Sequence, residues 1–457
     1  NNMFILKMIL LYILICGVLT AQTTVKIYNQ GRALVQEERT KKFTQRGKQS
    51  LLIQKIPHAA DPSSVNLFSD DIQFLSKEYL YRPISIESLL NANTGKEIEL
   101  VKYGDDGSIT FSTKGKLISN VNTPIFEIDD KIVVNPPYSY RFPEIPDGIT
   151  DYPYLNCVID SESKNGSYTL AYITGGIDWE AEYNLYLTSE KTSEIEGWYS
   201  IRNDNNLDYK DADVTLVSGA VNFESSGGAP KFKSHRTTAM AFSGDSQSMQ
   251  PETSHTEEYF LFHLPEKITL AQKSQIRHKF VTENKLPYKT VYHISHSLSR
   301  FRRNTPAQTN EIPVFVRLKL IAKDVGNFQI PAGTFKVYEK ENGSLTYIGS
   351  GSSGIVEDDD IIKLEIGKTQ DILCTFTIKG YKINKDSGEA ELNAVFDNRK
   401  DKPVSIEWIE QFSDGRWEIT NTKIKYEQLD AYRALFTVEV SAHSKKEINF
   451  KAKIEKE

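Results

Sequence analysis

The chain has 457 residues, with 55 basic and 61 acidic side chains and a formal net charge of −6. A mildly acidic balance without a basic block argues against nucleic acid or an anionic membrane as a partner. Three cysteines exclude a disulfide scaffold. The 23 tyrosines and 22 phenylalanines, beside only four methionines, fit pleated sheets better than packed helices.

Residues 1–21 have the pattern of a secretory signal peptide. A single lysine precedes the apolar run of residues 8–19, and small Ala21 ends the segment. The run is too short to span a bilayer comfortably, which favours cleavage over anchorage. A lipoprotein anchored at Cys16 is a weaker alternative, because Ile15 is too large for such processing. We expect export to the periplasm, the outer-membrane surface or the cell exterior, with no transmembrane helix in the mature chain.

The next part of the chain predicts a sandwich interrupted by a smaller unit. Residues 22–93 alternate between apolar and polar positions with turn residues between the runs, which predicts the first part of a β-sandwich. Ser85 is placed to cap a helix of one or two turns. Residues 94–145 contain several short strands, with Asp106–Gly107 the best hairpin signal, and predict an inserted small SH3-like barrel. The sandwich is predicted to continue over residues 146–223.

The clearest alternation in the chain is Tyr168–Leu187. Large apolar residues recur at every second position on both sides of Gly175–Gly176. Because successive strand side chains point to opposite faces, this predicts a half-buried hairpin with the glycine pair as its turn. Trp179 and Trp198 fall at alternating inward positions, so we predict that both belong to the core.

The remaining chain predicts a flexible segment followed by further sheets. Residues 224–256 are rich in Ser, Gly and Pro, and we interpret them as a flexible excursion. Residues 257–370 predict a β-rich continuation, and residues 371–457 a second sandwich. The predicted fold class is therefore all-β: two β-sandwich domains with a small SH3-like barrel inserted in the first. Cys157 and Cys374 fall in separate predicted domains, which favours two buried thiols over a bond.

Several motifs are spread along nearly the whole mature chain: Ile27–Gly31, Tyr172, Gly175–Gly176, Trp179, Ala181, Tyr183, Tyr209–Ala212, Leu264–Pro265, Ile330–Gly333 and Trp417–Ile419. Together they resemble the bacterial DUF4139 family, a domain of unknown function related to mucoidy-inhibitor-like proteins. The resemblance implies a multi-domain β protein of the cell envelope and carries no agreed catalytic residues. The chain lacks the long coiled-coil insertion of the mucoidy-inhibitor-like relatives.

Histidines are the main candidates for a metal site. Six of them lie in one part of the chain: His235, His255, His263, His278, His293 and His296. Zinc needs three or four converging ligands. His293 and His296 are three residues apart, so on a strand they point to opposite faces. We therefore interpret these histidines as scattered surface or core residues and predict no metal and no cofactor.

Three other stretches have a simpler structural explanation. Glu357–Asp360 lacks the ligand spacing of an EF-hand and predicts a solvated loop. Asn384–Glu389 is explained equally well by a hairpin turn. Gly349–Gly354 lacks the strand–turn–helix context of a nucleophile elbow and predicts a turn. We assign no catalytic, cofactor-binding or metal residue, although a dispersed carboxylate pair would leave no local pattern.

The sequence thus favours an exported, envelope-associated β protein with a structural or protein-interaction role. Its partners would be envelope proteins or glycans. The alternative is a carbohydrate-binding or carbohydrate-active protein with a dispersed carboxylate pair, and a third option is lipid or metal handling. Exposed aromatic residues along a cleft with two carboxylates about 5 to 10 Å apart would favour the carbohydrate-active alternative.

Overall fold

The computed structural model describes residues 22–219, 221–223, 253–256, 259–298, 308–326, 328–356, 360–383, 387–412, 416–420 and 422–455. Strands account for most of these residues. The prediction of an all-β fold is confirmed. Among the described residues, no helix is long and apolar enough to cross a membrane.

Two predicted segments fall wholly or largely outside this description. The predicted signal peptide at residues 1–21 lies outside it, as do residues 224–252 of the predicted excursion. The last four residues of that excursion, Thr253–Thr256, form a strand at the edge of a sheet. The returning strand pattern therefore begins at Thr253 rather than at residue 257.

The secondary structure consists of 32 strands and two short α-helices within the described residues. The first elements are β1 (Thr23–Tyr28), β2 (Arg32–Lys42), β3 (Gly47–Ile53), β4 (Asn66–Phe68), β5 (Ile72–Leu80), α1 (Ile86–Ala92), β6 (Glu97–Tyr103), β7 (Ile109–Ser119), β8 (Ile125–Ile128), β9 (Lys131–Val134), β10 (Ser139–Arg141), β11 (Tyr154–Ser161), β12 (Asn165–Gly175), β13 (Ile177–Leu187), β14 (Thr192–Asn203) and β15 (Tyr209–Ser218). The remaining elements are β16 (Thr253–Thr256), β17 (Tyr259–His263), β18 (Ile268–Leu270), β19 (Ser274–Pro287), β20 (Lys289–Leu298), β21 (Gln308–Ile312), β22 (Phe315–Ile321), α2 (Ala322–Val325), β23 (Gly333–Glu341), β24 (Ser344–Ser353), β25 (Ile361–Lys368), β26 (Ile372–Ile383), β27 (Ser387–Asn398), β28 (Val404–Phe412), β29 (Arg416–Thr420), β30 (Tyr426–Gln428), β31 (Arg433–Val440) and β32 (Ser444–Glu455).

The chain divides into two compact units. The first consists of the described residues within 1–179, 202–234 and 254–276. The second consists of the described residues within 180–201, 235–253 and 277–457. The finer division into sandwiches and an inserted barrel stays a prediction.

Two sheets of the first unit consist of strands whose buried and exposed residues alternate. One has the strand order β16-β17-β15-β1-β2-β12-β4, with β18 also paired to β15. It contains the parallel pair β1–β15, whereas β2 is antiparallel to both of its neighbours. The other has the order β3-β11-β5. In β1, Val25 and Ile27 are fully buried between less buried neighbours, as a two-residue period requires.

A small sheet of the order β10-β6-β7-β8-β9 has a core of its own. Leu100, Leu117 and Phe126 are fully buried in it, and Leu90 of α1 joins them. The predicted cap of α1 is confirmed, because the Ser85 hydroxyl accepts a hydrogen bond from the backbone N–H of Ser88 at 3.1 Å. The predicted hairpin at Asp106–Gly107 is confirmed by the antiparallel pairing of β6 and β7.

The second unit contains three sheets. Their strand orders are β19-β14-β13-β23-β24, β25-β22-β20-β28-β31-β30 and β21-β26-β27-β32-β29. The last two sheets share one hydrophobic core, in which Trp408 of β28 lies within 6.0 Å, between ring centroids, of four phenylalanine rings. Phe436 is stacked on Trp408 at 4.3 Å and Phe376 meets it edge to face at 4.9 Å. Such aromatic packing fixes the two sheets against each other.

The predicted hairpin at Tyr168–Leu187 is wrong. Both strands exist, but β12 pairs with β2 and β4, whereas β13 lies between β14 and β23 in another sheet. The backbone N–H groups of Gly175 and Gly176 bond to the carbonyls of Ala59 and Gly31 instead of closing a two-strand turn. Gly176 has φ +74°, which favours glycine. The glycine pair is therefore a corner at which the chain changes sheets.

One strand connectivity occurs twice in the chain. The order β17-β15-β1-β2-β12 in the first unit matches β31-β28-β20-β22-β25 in the second, with a parallel pair at the same place, β1–β15 and β20–β28. The strands that follow also match, because β13, β14 and β19 are neighbours in one sheet and β26, β27 and β32 in another. No repeat of this kind was predicted from the sequence.

In the first copy of this connectivity, a buried asparagine joins the ends of neighbouring strands. The side-chain amide of Asn203, at the end of β14, donates to the carbonyls of Leu207, Leu270 and Ala271 at 2.9 to 3.1 Å. Its side-chain oxygen accepts from the backbone N–H of Asn205 at 3.0 Å. We call this arrangement the first asparagine corner. It satisfies carbonyl groups that strand ends otherwise leave without a partner.

The second occurrence has the same arrangement. The amide of Asn398, at the end of β27, donates to the carbonyls of Lys402, Val440 and Ser441 at 2.9 to 3.3 Å. Its side-chain oxygen accepts from the backbone N–H of Lys400 at 3.1 Å. We call this the second asparagine corner.

The two corners align the strands around them. Ala212 of β15 pairs with the residue two positions before Leu270, and Ile406 of β28 pairs with the residue two positions before Val440. Since Leu270 and Val440 accept from the corner asparagines, Ala212 corresponds to Ile406. The residues opposite them in β1 and β20 correspond in turn.

Candidate functional site

The outer face of the sheet β19-β14-β13-β23-β24 carries aromatic and charged side chains. It arises from the alternation of β13, in which Tyr183 and Leu185 are fully buried while Glu182 and Tyr186 point to the other side. The buried ring of Tyr183 stacks on Phe335 of β23 at 4.2 Å and fixes the inner side. We call the outer side the tyrosine face, with the members Glu182, Tyr186, Glu194, Glu196, Trp198, Arg277, Lys279, Lys336, Tyr338, Lys340 and Tyr347.

Three tyrosines form a row across neighbouring strands. Tyr186 lies opposite Tyr338 in the parallel pair β13–β23, and Tyr338 lies opposite Tyr347 in the antiparallel pair β23–β24. Each neighbouring pair of ring centroids is 5.5 Å apart. Tyr347, on the edge strand, is 56% exposed. Partial burial, followed by the charge of Glu196, raises the pKa of Tyr186, so its hydroxyl keeps its proton at neutral pH.

Ion pairs surround this row. Glu182 of β13 lies 2.8 Å from Arg277 of β19 and 3.7 Å from Lys336 of β23. One carboxylate thus pairs with strands on both sides of β13. Pairs between partly exposed groups contribute little to stability and weaken with salt. Two further pairs of this kind are Glu196–Lys279 at 2.6 Å and Glu194–Lys340 at 2.9 Å.

The prediction that Trp179 and Trp198 both belong to the core is half right. Trp179 is 5% exposed, whereas Trp198 is only partly buried and lies on the tyrosine face. Arg277 and Lys279 sit over its ring, with the guanidinium carbon 5.0 Å and the ammonium nitrogen 4.6 Å from the centroid. The neighbouring Tyr199 takes the inward place because the alternation of β14 is shifted by one residue from the predicted one.

A polar groove lies beside the edge strand β24. Its volume is about 530 Å³, and it lies between the hydroxyl side chains of β23 and β24 and the charged side chains of β22 and β25. Arg317 and Glu365 form an ion pair with 3.3 Å between guanidinium nitrogen and carboxylate oxygen. The residues that line the groove are Arg317, Thr334, Ser350, Gly351, Ser352, Lys363 and Glu365.

The prediction of a turn at Gly349–Gly354 is wrong, because most of this string belongs to strand β24. A Cβ on Gly349 would lie 2.1 Å from the carbonyl oxygen of Ile366, and Gly349 has φ +151°. A Cβ on Gly351 would lie 3.2 Å from the carbonyl oxygen of Glu365. The glycines therefore let the backbone of β24 pass close to β25.

A register shift joins the tyrosine row to the groove. Between Val337 and Tyr338 the pairing of β23 with β24 shifts by one residue. Tyr347 consequently lies opposite Tyr338, while Ser350 lies opposite Lys336. Residues that face each other in neighbouring strands point to the same side. One side of β24 thus carries both an exposed aromatic ring and the serine hydroxyls of the groove.

The histidines that were considered as metal ligands, and interpreted as scattered, belong to several different strands where the structure describes them. His293 and His296 of β20 lie on opposite faces, as predicted, next to Glu407 and Glu410 of β28 respectively. Within the described residues, no group of three or more His, Cys, Asp or Glu side chains is arranged to hold a metal ion. Of the other four, His235 lies outside the described residues, His255 is in β16, His263 is hydrogen-bonded to Thr215 at 3.0 Å, and His278 is in β19.

The buried histidine forms a polar cluster that was not predicted. Nδ1 of His296 lies 2.8 Å from both carboxylate oxygens of Glu410, and the indole N–H of Trp408 donates to one of them at 3.0 Å. The ring of His296 stacks on Phe376 at 4.4 Å. Glu410 is fully buried. The alternation of β28 indicates an inward Glu410, but nothing local in the sequence indicates its partner.

The acidic candidates are only partly described. Residues 357–359 and 384–386 lie outside the described residues, while the stretch from Ser387 to Glu389 begins β27. The loop and turn predicted there remain predictions.

Both cysteines outside the predicted signal peptide are free and buried. Burial raises the pKa of the Cys157 thiol and of the Cys374 thiol, so both stay protonated and poorly nucleophilic at neutral pH. This agrees with their interpretation as small apolar fillers.

No protein-family model matches the sequence, and no curated protein matches it significantly. The resemblance to the DUF4139 family therefore stays a prediction that rests on the motifs quoted above.

Sequence reasoning did not find the tyrosine face or the groove. Tyr186 and Tyr338 each sit at an outward position of an alternating strand, which the sequence does indicate. The strand of Tyr347 does not alternate in this way. The three rings meet because β13 pairs in parallel with β23, and these two strands are far apart in the sequence. No local signal specifies that pairing.

Proposed function

We propose that this protein is an exported, envelope-associated β protein of the DUF4139 type that acts by binding a partner rather than by catalysis. The observation that carries the proposal is the tyrosine face. It presents a tyrosine row that ends in the exposed ring of Tyr347, beside a polar groove. Tyrosine combines a large contact area with a hydroxyl group at low entropic cost, which suits binding surfaces.

The state of the acid–base groups supports binding over catalysis. In the groove, Glu365 is the one carboxylate among the lining residues, and it is paired with Arg317. The hydrogen-bonded pair His296–Glu410 is packed inside the core. A glycoside hydrolase needs two carboxylates flanking one bond. Between the two carbohydrate alternatives, the groove therefore favours a carbohydrate-binding protein over a carbohydrate-active one.

The export part of the proposal rests on the signal-peptide pattern of residues 1–21. Expression of the chain from Met3 in a bacterial host, followed by N-terminal sequencing of the mature product, tests it. We expect a mature protein that starts at Gln22 and fractionates outside the cytoplasm. A cytoplasmic product that keeps residues 3–21 would contradict export.

The binding part is tested by capture from envelope extract. Purified protein is compared with the variant Tyr338→Ser/Tyr347→Ser, which removes two rings of the row. The matched control is Tyr432→Ser, because Tyr432 is similarly exposed, at 52%, but lies outside the face. We expect a partner to be retained by the wild type and the control and lost by the double variant. Capture that is the same for all three proteins would refute a binding role for this face.

A further inference from the structure

We infer that the groove beside Tyr347 is a carbohydrate-binding site, which names the ligand class of the binding role proposed above and rests on it. The site consists of the ring of Tyr347, the hydroxyls of β23 and β24, and the charged wall formed by β22 and β25. Each part matches a different portion of a sugar.

The ring supplies a stacking surface for the apolar side of a sugar. Tyr347 is 56% exposed, so part of its ring is open to a ligand. Its edge-to-face contact with Tyr338, at a centroid distance of 5.5 Å and an interplanar angle of 63°, holds the ring in place. A ring that is already fixed loses little conformational entropy when a ligand stacks on it.

The groove supplies partners for sugar hydroxyls. Thr334, Ser350 and Ser352 are exposed and line it, and each hydroxyl both donates and accepts hydrogen bonds. Ser352 lies opposite Thr334 in the β23–β24 register, so their hydroxyl side chains share one side of the sheet. Neighbouring hydroxyls on one side of a sheet can bond different hydroxyl groups of the same sugar.

The charged wall adds directional contacts. Arg317 and Glu365 lie directly opposite each other in the β22–β25 pair and are bonded at 3.3 Å. A guanidinium presents several N–H donors in one plane, while a carboxylate presents two acceptors. Lys363 on the same wall is exposed and contributes a further donor. Such planar groups recognise pairs of sugar hydroxyls and fix the orientation of the ring.

A peptide strand is a less suitable ligand for this edge. An edge strand normally offers its backbone for pairing with another chain. Here the backbone of β24 already lies against β25, since a Cβ at Gly349 would meet the carbonyl oxygen of Ile366 at 2.1 Å. The space for an added strand is therefore occupied, and side chains rather than backbone groups are what the groove presents.

The test is calorimetric titration of the purified mature chain with three soluble hexasaccharides: a neutral β-glucan, an N-acetylated chitin fragment and a uronic-acid oligomer. We expect at least one to bind, and Tyr347→Ala to weaken that binding about tenfold, as loss of one aromatic contact predicts. Tyr347→Trp should keep the affinity. The control Tyr432→Ala should bind like the wild type, and circular dichroism checks that every variant is folded.

The outcomes separate this inference from the proposed function. If no sugar binds, or if Tyr347→Ala and Tyr432→Ala behave alike, the carbohydrate site is refuted. If envelope capture still depends on Tyr338 and Tyr347 while no sugar binds, the binding role stands and its ligand is a protein. If neither assay depends on these tyrosines, both proposals fail.

Discussion

The sheets around β15 and β28 are connected alike, yet one pair of buried positions is apolar in the first and ionisable in the second. In the first, Ile27 lies opposite Leu216 across the parallel pair β1–β15, and both are fully buried. The corresponding residues of the second sheet are His296 and Glu410, which lie opposite each other across β20–β28. Because an apolar pair occupies this place in one sheet, the fold does not require an ionisable pair in the other.

Some stabilising contacts are shared by both copies, and others occur in only one of them. The asparagine corners are the same in both, down to the carbonyls they bind, so they belong to the shared architecture. The His296–Glu410 pair is particular to one copy. Replacing two buried hydrogen-bonded partners by apolar groups of similar shape can be nearly neutral for stability, whereas removing one partner leaves the other unsatisfied. Residues of the first sheet can therefore be introduced at the corresponding positions of the second to test what each contact contributes.

The largest effect is expected from breaking the polar pair on one side. Glu410→Leu leaves Nδ1 of His296 and the indole N–H of Trp408 buried without their hydrogen-bond partner and should destabilise the second unit by about 2–5 kcal/mol. His296→Ile/Glu410→Leu copies the apolar pair of the first sheet and should regain most of that loss. Urea unfolding of the three proteins measures both effects. A double variant as unstable as the single one would show that the pair is needed for the fold.

The asparagine corners should respond equally. Asn203→Ala and Asn398→Ala each remove a donor shared by three carbonyls, one of them in a buried hydrogen bond, and should each cost about 1–3 kcal/mol. The exposed Asn284 provides the control, and Asn284→Ala should leave stability unchanged. Chemical unfolding followed by circular dichroism is the measurement. If only one corner variant loses stability, the two corners are not equivalent parts of one architecture.

The sheet-changing corner gives a smaller effect. Gly176 has φ +74°, so Gly176→Ala should cost about 1–2 kcal/mol through backbone strain. Gly175 provides the matched control, because its nearest neighbours would lie 3.9 Å from an added Cβ and its φ is not positive. Thermal unfolding of Gly175→Ala and Gly176→Ala compares them. Equal loss in both would show that the positive φ of Gly176 does not set the cost of its substitution.

The smallest effect is a pH dependence. Burial, followed by the charge of Arg317, lowers the pKa of His293 below its usual 6.5. The unfolded chain then binds the proton more readily, so this contribution to stability is present above pH 6.5 and is lost as the pH falls below it. The corresponding residue of the first sheet is Thr24, which does not titrate. In His293→Thr, the difference in unfolding midpoint between pH 8 and pH 5 should shrink, and an unchanged difference would contradict this assignment.

Much of the local structure could be predicted, because its causes are local. Ser85 caps a helix through a backbone N–H three residues away, and Asp106–Gly107 turns between two neighbouring strands. The failures come where strand partners are distant. The alternation around Gly175–Gly176 is real, but the two strands belong to different sheets, and the expected hairpin required them to pair.

The candidate site shows the same limit. Tyr347 and Ser350 are three residues apart, so simple alternation places them on opposite faces. The register shift at Val337 and Tyr338 brings them to one face, and the glycines of β24 serve close packing rather than a turn. Neither the shift nor the close approach to β25 has a local sequence signal.

The amino-acid order alone determined that this chain forms strands and which side of many strands is buried. Side-chain alternation is set by the backbone of a single strand, so it is readable without knowing the partner. Only the tertiary structure decided which strands pair, that one connectivity occurs twice, and that Glu410 meets His296. Backbone hydrogen-bonding groups are the same in every strand, so the choice of partner follows from the packing of whole sheets rather than from any short stretch of residues.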